Sequence, residues 1–288
     1  MPLFPFAQFE VPGRLGLPDG RYLARDISGE ADDVIVISSL QALRRERRRR
    51  SRRVRDAGVA PETQELPVTR VTVVRATAFD DEGEAKTWLD GMRCDTEARD
   101  HFTADARILV NRSLHAHRAA TMDPYIAELG PHSPAVTRLG FGEGEALAGG
   151  EWSAAIDAPP DPGPRRRRID ALRPQERVAG VLGRRDRVDV CETLVLRARL
   201  DLDHGRTREA ALQLGPGLRA LLAEVEPGNN EEQSADLTEA RARLAQVDHV
   251  AKEALTGELP DQLAAVVGDT LALCERILRR RRILGTSG

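Results

Sequence analysis

A dense run of arginines is the first feature of this sequence that could do chemistry. Nine of the twelve residues from 44 to 55 are arginine. Guanidinium groups bind phosphate through paired hydrogen bonds, and they release counterions from a polyanion. The run therefore predicts binding to the RNA or DNA backbone by Arg44, Arg45, Arg47, Arg48, Arg49, Arg50, Arg52 and Arg53. The alternative is a solvated charged loop that binds nothing.

An arginine and a histidine elsewhere in the sequence could act on RNA. Arg112 and His117 are separated by four residues, and this spacing resembles the R-x4-H motif of the helical HEPN ribonucleases. In that family, arginine and histidine assist attack by a 2′-hydroxyl, so the resemblance implies a ribonuclease site here. His115 and His117 would lie about 200° apart on a helix, too far for a metal-binding pair. We predict no metal site and no cofactor.

Other catalytic motifs are missing from the sequence. Neither of the two lysines lies in a phosphate-binding loop, and no protein-kinase string is present. The three cysteines are odd in number and too widely spaced for a zinc site, so we expect reduced thiols. Residues 140–144, Gly-Phe-Gly-Glu-Gly, lack the third glycine of a dinucleotide-binding loop. They predict a flexible connection between a strand and a helix.

Charge and hydropathy bear on where the protein is located in the cell. The net charge is −3, and neither half of the chain is strongly basic. No apolar stretch reaches the length of about 18 residues that suggests a transmembrane helix, and the N-terminus lacks the pattern of a signal peptide. We therefore expect a cytoplasmic protein without a membrane span.

The aromatic residues divide the chain into two parts. All ten of them precede residue 153. Soon after this point, a proline-rich stretch is followed by four arginines, which is typical of a linker. We predict a domain over residues 1–158, a linker over 159–172 and a second domain over 173–288.

The first domain combines strand and helix patterns. Short β-branched or alternating runs at 22–25, 34–37 and 71–74 predict an antiparallel β element of three or four strands. The arginine-rich stretch 44–67 is longer than an ordinary hairpin loop, which predicts a disordered insertion. Helices are expected from about Asp80 and from about Asp95. The fold class is therefore α+β.

The second domain has helical periodicity throughout. Two apolar stripes predict a helical hairpin over 191–224, and two more predict an antiparallel hairpin over 237–277. In the hairpin over 191–224, Ala198 is expected on the first helix, Gly205 in the turn, and Glu209 and Ala210 on the second helix. At these residues the hairpin resembles a tetratricopeptide repeat. The resemblance covers about 34 residues, the length of one repeat, and it implies peptide binding. A kink or break is expected at residues 215–217, Gly-Pro-Gly.

These patterns favour a non-enzymatic scaffold or adaptor whose helical hairpins bind another protein or a second copy of the chain. The first alternative is a nucleic-acid or ribosome-associated protein that uses the arginine run. The second is a HEPN-like ribonuclease with Arg112 and His117 in its site.

Overall fold

The computed structural model describes residues 1–25, 32–42, 66–158, 168–225 and 231–284. The chain divides into two compact units, Met1–Pro164 and Arg165–Gly288. The first contains an antiparallel sheet with helices, and the described part of the second is helical. The predicted α+β class is confirmed.

The described part of the first unit contains one six-stranded sheet, so the prediction of three or four strands was wrong. Its order is β2-β3-β4-β1-β5-β6, and every neighbouring pair is antiparallel. The strands are β1 (Leu3–Pro12), β2 (Gly20–Arg25), β3 (Asp32–Ala42), β4 (Leu66–Val74), β5 (Val136–Glu143) and β6 (Ala154–Ala158).

The central strand β1 is buried on both faces. Phe9 and Val11 pack in one apolar cluster, whereas Phe6 packs on the opposite face with Val74 and Leu147. Burial on both faces removes the simple alternation of apolar and polar residues that identifies a half-buried strand. Pro5 within β1 adds to this, because a proline inside an apolar run argues against a central strand.

The glycines at 140 and 142 lie inside strand β5, so the prediction of a flexible connection was wrong. A Cβ atom added to Gly140 would lie 2.1 Å from the carbonyl oxygen of Ala154. Glycine therefore allows β6 to approach β5 closely here.

Both helices predicted in the first unit are confirmed, as α1 (Glu82–Cys94) and α2 (Thr96–Thr121). Asp81 and Asp95 are their N-caps, and each carboxylate accepts a hydrogen bond from a backbone N–H in the first turn. Buried side chains of α2, including Val110 and Leu114, pack in a cluster with sheet residues. A short helix, α3 (Gly144–Gly149), follows β5 directly.

The second unit is a helical bundle. The packed pairs include α5 with α6, and α9 lies against four other helices. The helices are α4 (Arg168–Leu182), α5 (Val190–Asp203), α6 (Thr207–Glu224), α7 (Glu231–Ala242), α8 (Leu244–Thr256) and α9 (Asp261–Leu284). Helix α4 begins inside the predicted linker, which therefore ends before residue 172.

Two local predictions for the bundle differ from the structure. The break that was one alternative at residues 215–217 is not present, because α6 runs continuously through Pro216. The adjacent Gly217 packs closely on α5, because a Cβ atom there would lie 3.2 Å from the Leu194 Cβ. The apolar repeat over 237–254 is also not one helix, since α7 ends at Ala242 and α8 starts at Leu244.

Candidate functional site

The predicted nucleic-acid-binding arginines, Arg44 to Arg53, lie outside the described residues. The described strands on either side of this segment are paired, since Ala42 of β3 lies opposite Leu66 of β4. The chain therefore leaves and re-enters the sheet at neighbouring positions. Leu66 and Pro67, predicted as the end of the insertion, belong to β4.

Arg112 and His117 both lie on α2, which is continuous between them. A separation of five residues turns their side chains about 140° apart around the helix axis. The two side chains therefore do not point in the same direction, and the HEPN-like ribonuclease stays a prediction.

The side of α2 that carries His115 holds the following chain segment in place. The Asn111 amide donates to the Leu129 carbonyl at 3.0 Å and accepts from the Leu129 N–H at 2.7 Å. Arg118 donates to the Ile126 carbonyl and to Glu128. His115 Nδ1 lies 3.9 Å from Glu128 Oε1. This separation exceeds hydrogen-bond distance, and His115 Nδ1 is buried without a hydrogen-bond partner among the described residues.

The C-terminal arginine run is paired with acids of other helices. This run is residues 279–282, near the end of α9. Arg280 pairs with Asp236 of α7. Arg281 lies 2.7 Å from Asp189, and Arg282 lies 3.3 Å from Glu192. Both acids are almost completely buried.

Glu192 connects α4 to α5. Arg177 of α4 donates to both of its carboxylate oxygens, at 2.8 and 2.6 Å. Burial by itself raises the pKa of Glu192, but hydrogen bonds from Arg177 and from the Asp189 backbone oppose it and lower the pKa to about 2. Glu192 is therefore ionised at neutral pH, and it fixes the start of α5 next to α4.

The two buried thiols are not reactive groups. Burial, together with Glu224, raises the pKa of Cys191 to about 12. Burial and the nearby Glu275 raise the pKa of Cys274 to about 12 as well. Both remain protonated at neutral pH, and the thiolate is the nucleophilic form.

Helix α5 has apolar residues on two opposite faces. One face carries Cys191, Val195 and Ala198 into the core of the bundle. The other face exposes Leu196 and Leu200, which are 62% and 50% accessible. A solvated helix ordinarily carries polar residues on its outer face. An apolar outer face is typical of a helix that another element covers.

Helix α4 presents a second exposed apolar pair. Val178 is 57% exposed and Leu182 is 80% exposed, one turn apart on the same stripe. Val188, between the two helices along the chain, and Val190, the first residue of α5, are also exposed. We refer to the exposed apolar side chains of residues 178–200 as the α4–α5 apolar surface. It consists of Val178, Leu182, Val188, Val190, Leu196 and Leu200.

Sequence reasoning missed this surface, although a signal for it was present. The periodicity of α5 was assigned to the core stripe alone. Leu196 and Leu200 are four residues apart and lie opposite that stripe. Two apolar stripes on one helix predict that both faces are covered.

Among the residues that the structure describes, no helix is long and apolar enough to cross a membrane. The same residues contain no group of three or more histidine, cysteine or acidic side chains arranged to hold a metal ion.

No family model, curated protein or solved structure matches this chain. The functional argument therefore rests on the residues themselves.

Proposed function

We propose that this protein is an interaction protein whose helical unit binds a partner protein, or a second copy of itself, through the α4–α5 apolar surface. The observation that carries the proposal is the outer face of α5. Leu196 and Leu200 expose half or more of their surface although the helix already fills the core with its other face. Clustered exposed apolar side chains mark interaction sites more often than isolated ones do.

The local framework supports this proposal. The ion pair between Arg177 and Glu192 fixes α4 against the first turn of α5 at the surface. Gly217 allows close packing of α6 behind α5. A binding surface that is rigid before the partner arrives loses less conformational entropy on association.

The direct test is a Leu196→Ser, Leu200→Ser double variant. Size-exclusion chromatography with light scattering would measure self-association, and affinity capture would measure partners, each at low and high salt. We expect an oligomer or a complex that persists at high salt in the wild-type protein and is lost in the variant. Apolar contacts are not screened by ions, unlike surface charge pairs.

A matched control separates binding from folding. Leu255 of α8 is 68% exposed and lies outside the α4–α5 apolar surface. Leu255→Ser should leave association unchanged, and all variants should keep the wild-type circular dichroism spectrum. A wild-type monomer without a partner at any ionic strength would contradict the proposal. So would association that survives in the double variant.

The arginine run supports a second candidate function, binding to a nucleic-acid backbone. Nine arginines in twelve residues are inserted between two strands that are paired at the point of insertion. Such binding would be weakly selective for sequence because it uses phosphate contacts. It would be independent of the α4–α5 apolar surface.

Fluorescence anisotropy of labelled RNA and DNA would test this second candidate. Changing Arg47, Arg48, Arg49 and Arg50 to serine should abolish binding, and the wild-type affinity should fall with a salt slope of about −0.9 per neutralised phosphate on duplex DNA. A control with the same loss of charge replaces four exposed arginines elsewhere, Arg14, Arg93, Arg184 and Arg197. Equal weakening in both variants would indicate a general charge effect and would reject the arginine run as the site.

A further inference from the structure

The sheet unit contains an open cleft that neither proposed function uses. Its volume is 410 Å³, and it lies where the ends of β2, β3 and β4 meet helix α2. This volume falls within the range of about 300–1,000 Å³ that small-molecule sites occupy. Both apolar and charged side chains line it.

One stripe of α2 forms a wall of the cleft. Asp105, Ile108, Leu109 and Arg112 follow each other at the spacing of a single helix face. Ile108 and Leu109 supply an apolar surface in the middle of this wall. The two charged residues flank it, about 10 Å apart along the helix axis.

The sheet side of the cleft supplies two arginines and one aspartate. Asp33 accepts from the Ala76 N–H at 2.8 Å and lies 3.2 Å from Arg75. Asp33 therefore compensates Arg75. Arg25, at the end of β2, also lines the cleft. Across the lining, three arginines face two aspartates.

Arg112 is the cation available to a ligand. It is exposed, and its side chain forms no ion pair or hydrogen bond among the residues that the structure describes. The other carboxylate of the cleft, Asp105, lies 3.1 Å from His101. The end of the cleft at Arg112 is thus cationic, and the middle of the α2 wall is apolar.

We propose that this cleft binds a small phosphomonoester with an apolar or aromatic body. The phosphate lies at Arg112, with Arg25 also on the lining of the cleft, and the body packs on Ile108 and Leu109. A guanidinium group matches phosphate oxygens in both geometry and charge. The site belongs to the sheet unit, so this proposal does not depend on either proposed function.

Isothermal titration calorimetry with phenyl phosphate on the full chain tests the proposal. Phenol and inorganic phosphate are the comparison ligands, because each carries one half of the proposed recognition. We expect phenyl phosphate to bind more tightly than either. Arg112→Gln should weaken phenyl phosphate binding about tenfold or more, the usual effect of losing a charged hydrogen bond.

Two further variants make the test specific. Arg93→Gln removes another exposed arginine of the same unit, one that pairs only locally with Asp90, and should leave the affinity unchanged. Asp105→Asn removes a negative charge from the cleft and should strengthen binding. A cationic ligand would show the opposite pattern in Arg112→Gln and Asp105→Asn.

Three results would overturn the proposal. The first is no detectable binding of phenyl phosphate by the wild-type protein. The second is an unchanged affinity in Arg112→Gln, and the third is weaker binding in Asp105→Asn. Equal affinities for phenyl phosphate and inorganic phosphate would remove Ile108 and Leu109 from the site. The melting temperature of each variant is measured, and only variants with the wild-type melting temperature are used. A loss of binding then does not reflect a loss of fold.

Discussion

The sheet unit and the helical unit bury different kinds of polar group. Most of the buried polar residues that the structure describes in the sheet unit are uncharged, such as Gln8, Thr72 and Asn111, although the Glu128 side chain is 6% exposed and pairs with Arg118. The helical unit instead buries the acids Asp189 and Glu192, together with Asp236 of α7. Aromatic residues follow the same division, since all ten precede residue 153.

This difference indicates which interactions fix the packing of each unit. In a sheet, backbone hydrogen bonds fix each strand to its neighbours in register, and the core can remain neutral. Helices satisfy their backbone internally, so their neighbours must be chosen by side chains. Here arginine–carboxylate pairs connect α5 to α9 through Arg199 and Glu275, and α9 to α7 through Arg276 and Asp236. We infer that these ion pairs specify the packing of helices without aromatic side chains.

The largest expected effect comes from the neutral, aromatic core of the sheet unit. Phe141 is 1% exposed and contacts Phe79 edge-on, with ring centroids 6.2 Å apart. Phe141→Ala should destabilise this unit by about 3–5 kcal/mol, the usual cost of deleting a buried phenylalanine. Tryptophan fluorescence measures it selectively, because Trp88 and Trp152 both belong to the sheet unit. Equal shifts in fluorescence and in helical circular dichroism would show instead that the units unfold together.

The second effect tests the charged core of the helical unit. Arg177→Met removes two hydrogen bonds from Glu192, whose side chain is 6% exposed. Leaving a buried carboxylate without its main partner lowers the free energy of unfolding by about 3 kcal/mol. The circular dichroism transition should therefore shift while the fluorescence transition stays constant. Arg197→Met, at an exposed position of the same bundle, is the control and should have little effect. Equal effects of the two variants would contradict a specific role for Arg177.

A smaller effect is expected from a neutral polar contact in the sheet unit. Asn111→Leu leaves the N–H and carbonyl of the buried Leu129 without their hydrogen-bond partners. The loss of these hydrogen bonds should lower the free energy of unfolding by about 2 kcal/mol. The unfolding transition followed by fluorescence should therefore shift to lower temperature. Ser113→Ala is the matched control, because Ser113 bonds only within α2, to the Leu109 carbonyl. No difference between the two variants would show that water replaces the amide.

The sequence predicted those elements that carry a local signal of their own type. Helices α1 and α2 have acidic caps at Asp81 and Asp95, and α5 ends at Asp203 before a glycine with positive φ, as expected. Strands β2, β3 and β4 also follow recognisable apolar runs. Each of these signals lies within a few residues of the element that it defines.

Features that depend on distant residues were not predictable in this way. Strand β1 is hidden by burial on both faces and by Pro5, and Gly140 of β5 is explained by the approach of β6. The same holds for the candidate sites. The exposure of Leu196 depends on which helices cover α5, and the cleft at Arg112 combines α2 with three strand ends.

The last effect is a pH dependence of the charged core in the helical unit. The pKa of Glu192 is about 2 in the folded protein, below its ordinary value of 4.5. Ionisation of Glu192 therefore favours the fold above pH 4.5, and this stability is lost progressively as the pH falls from 4.5 towards 2. The circular dichroism transition of the wild-type helical unit should move to lower temperature across this window. In Glu192→Gln no carboxylate titrates at this position. The variant should therefore be less stable than the wild-type protein at neutral pH, but its stability should fall less on acidification. Parallel pH profiles for the two proteins would mean that other groups cause the acid sensitivity, and the contrast between a neutral and a charged core would then lose its thermodynamic consequence.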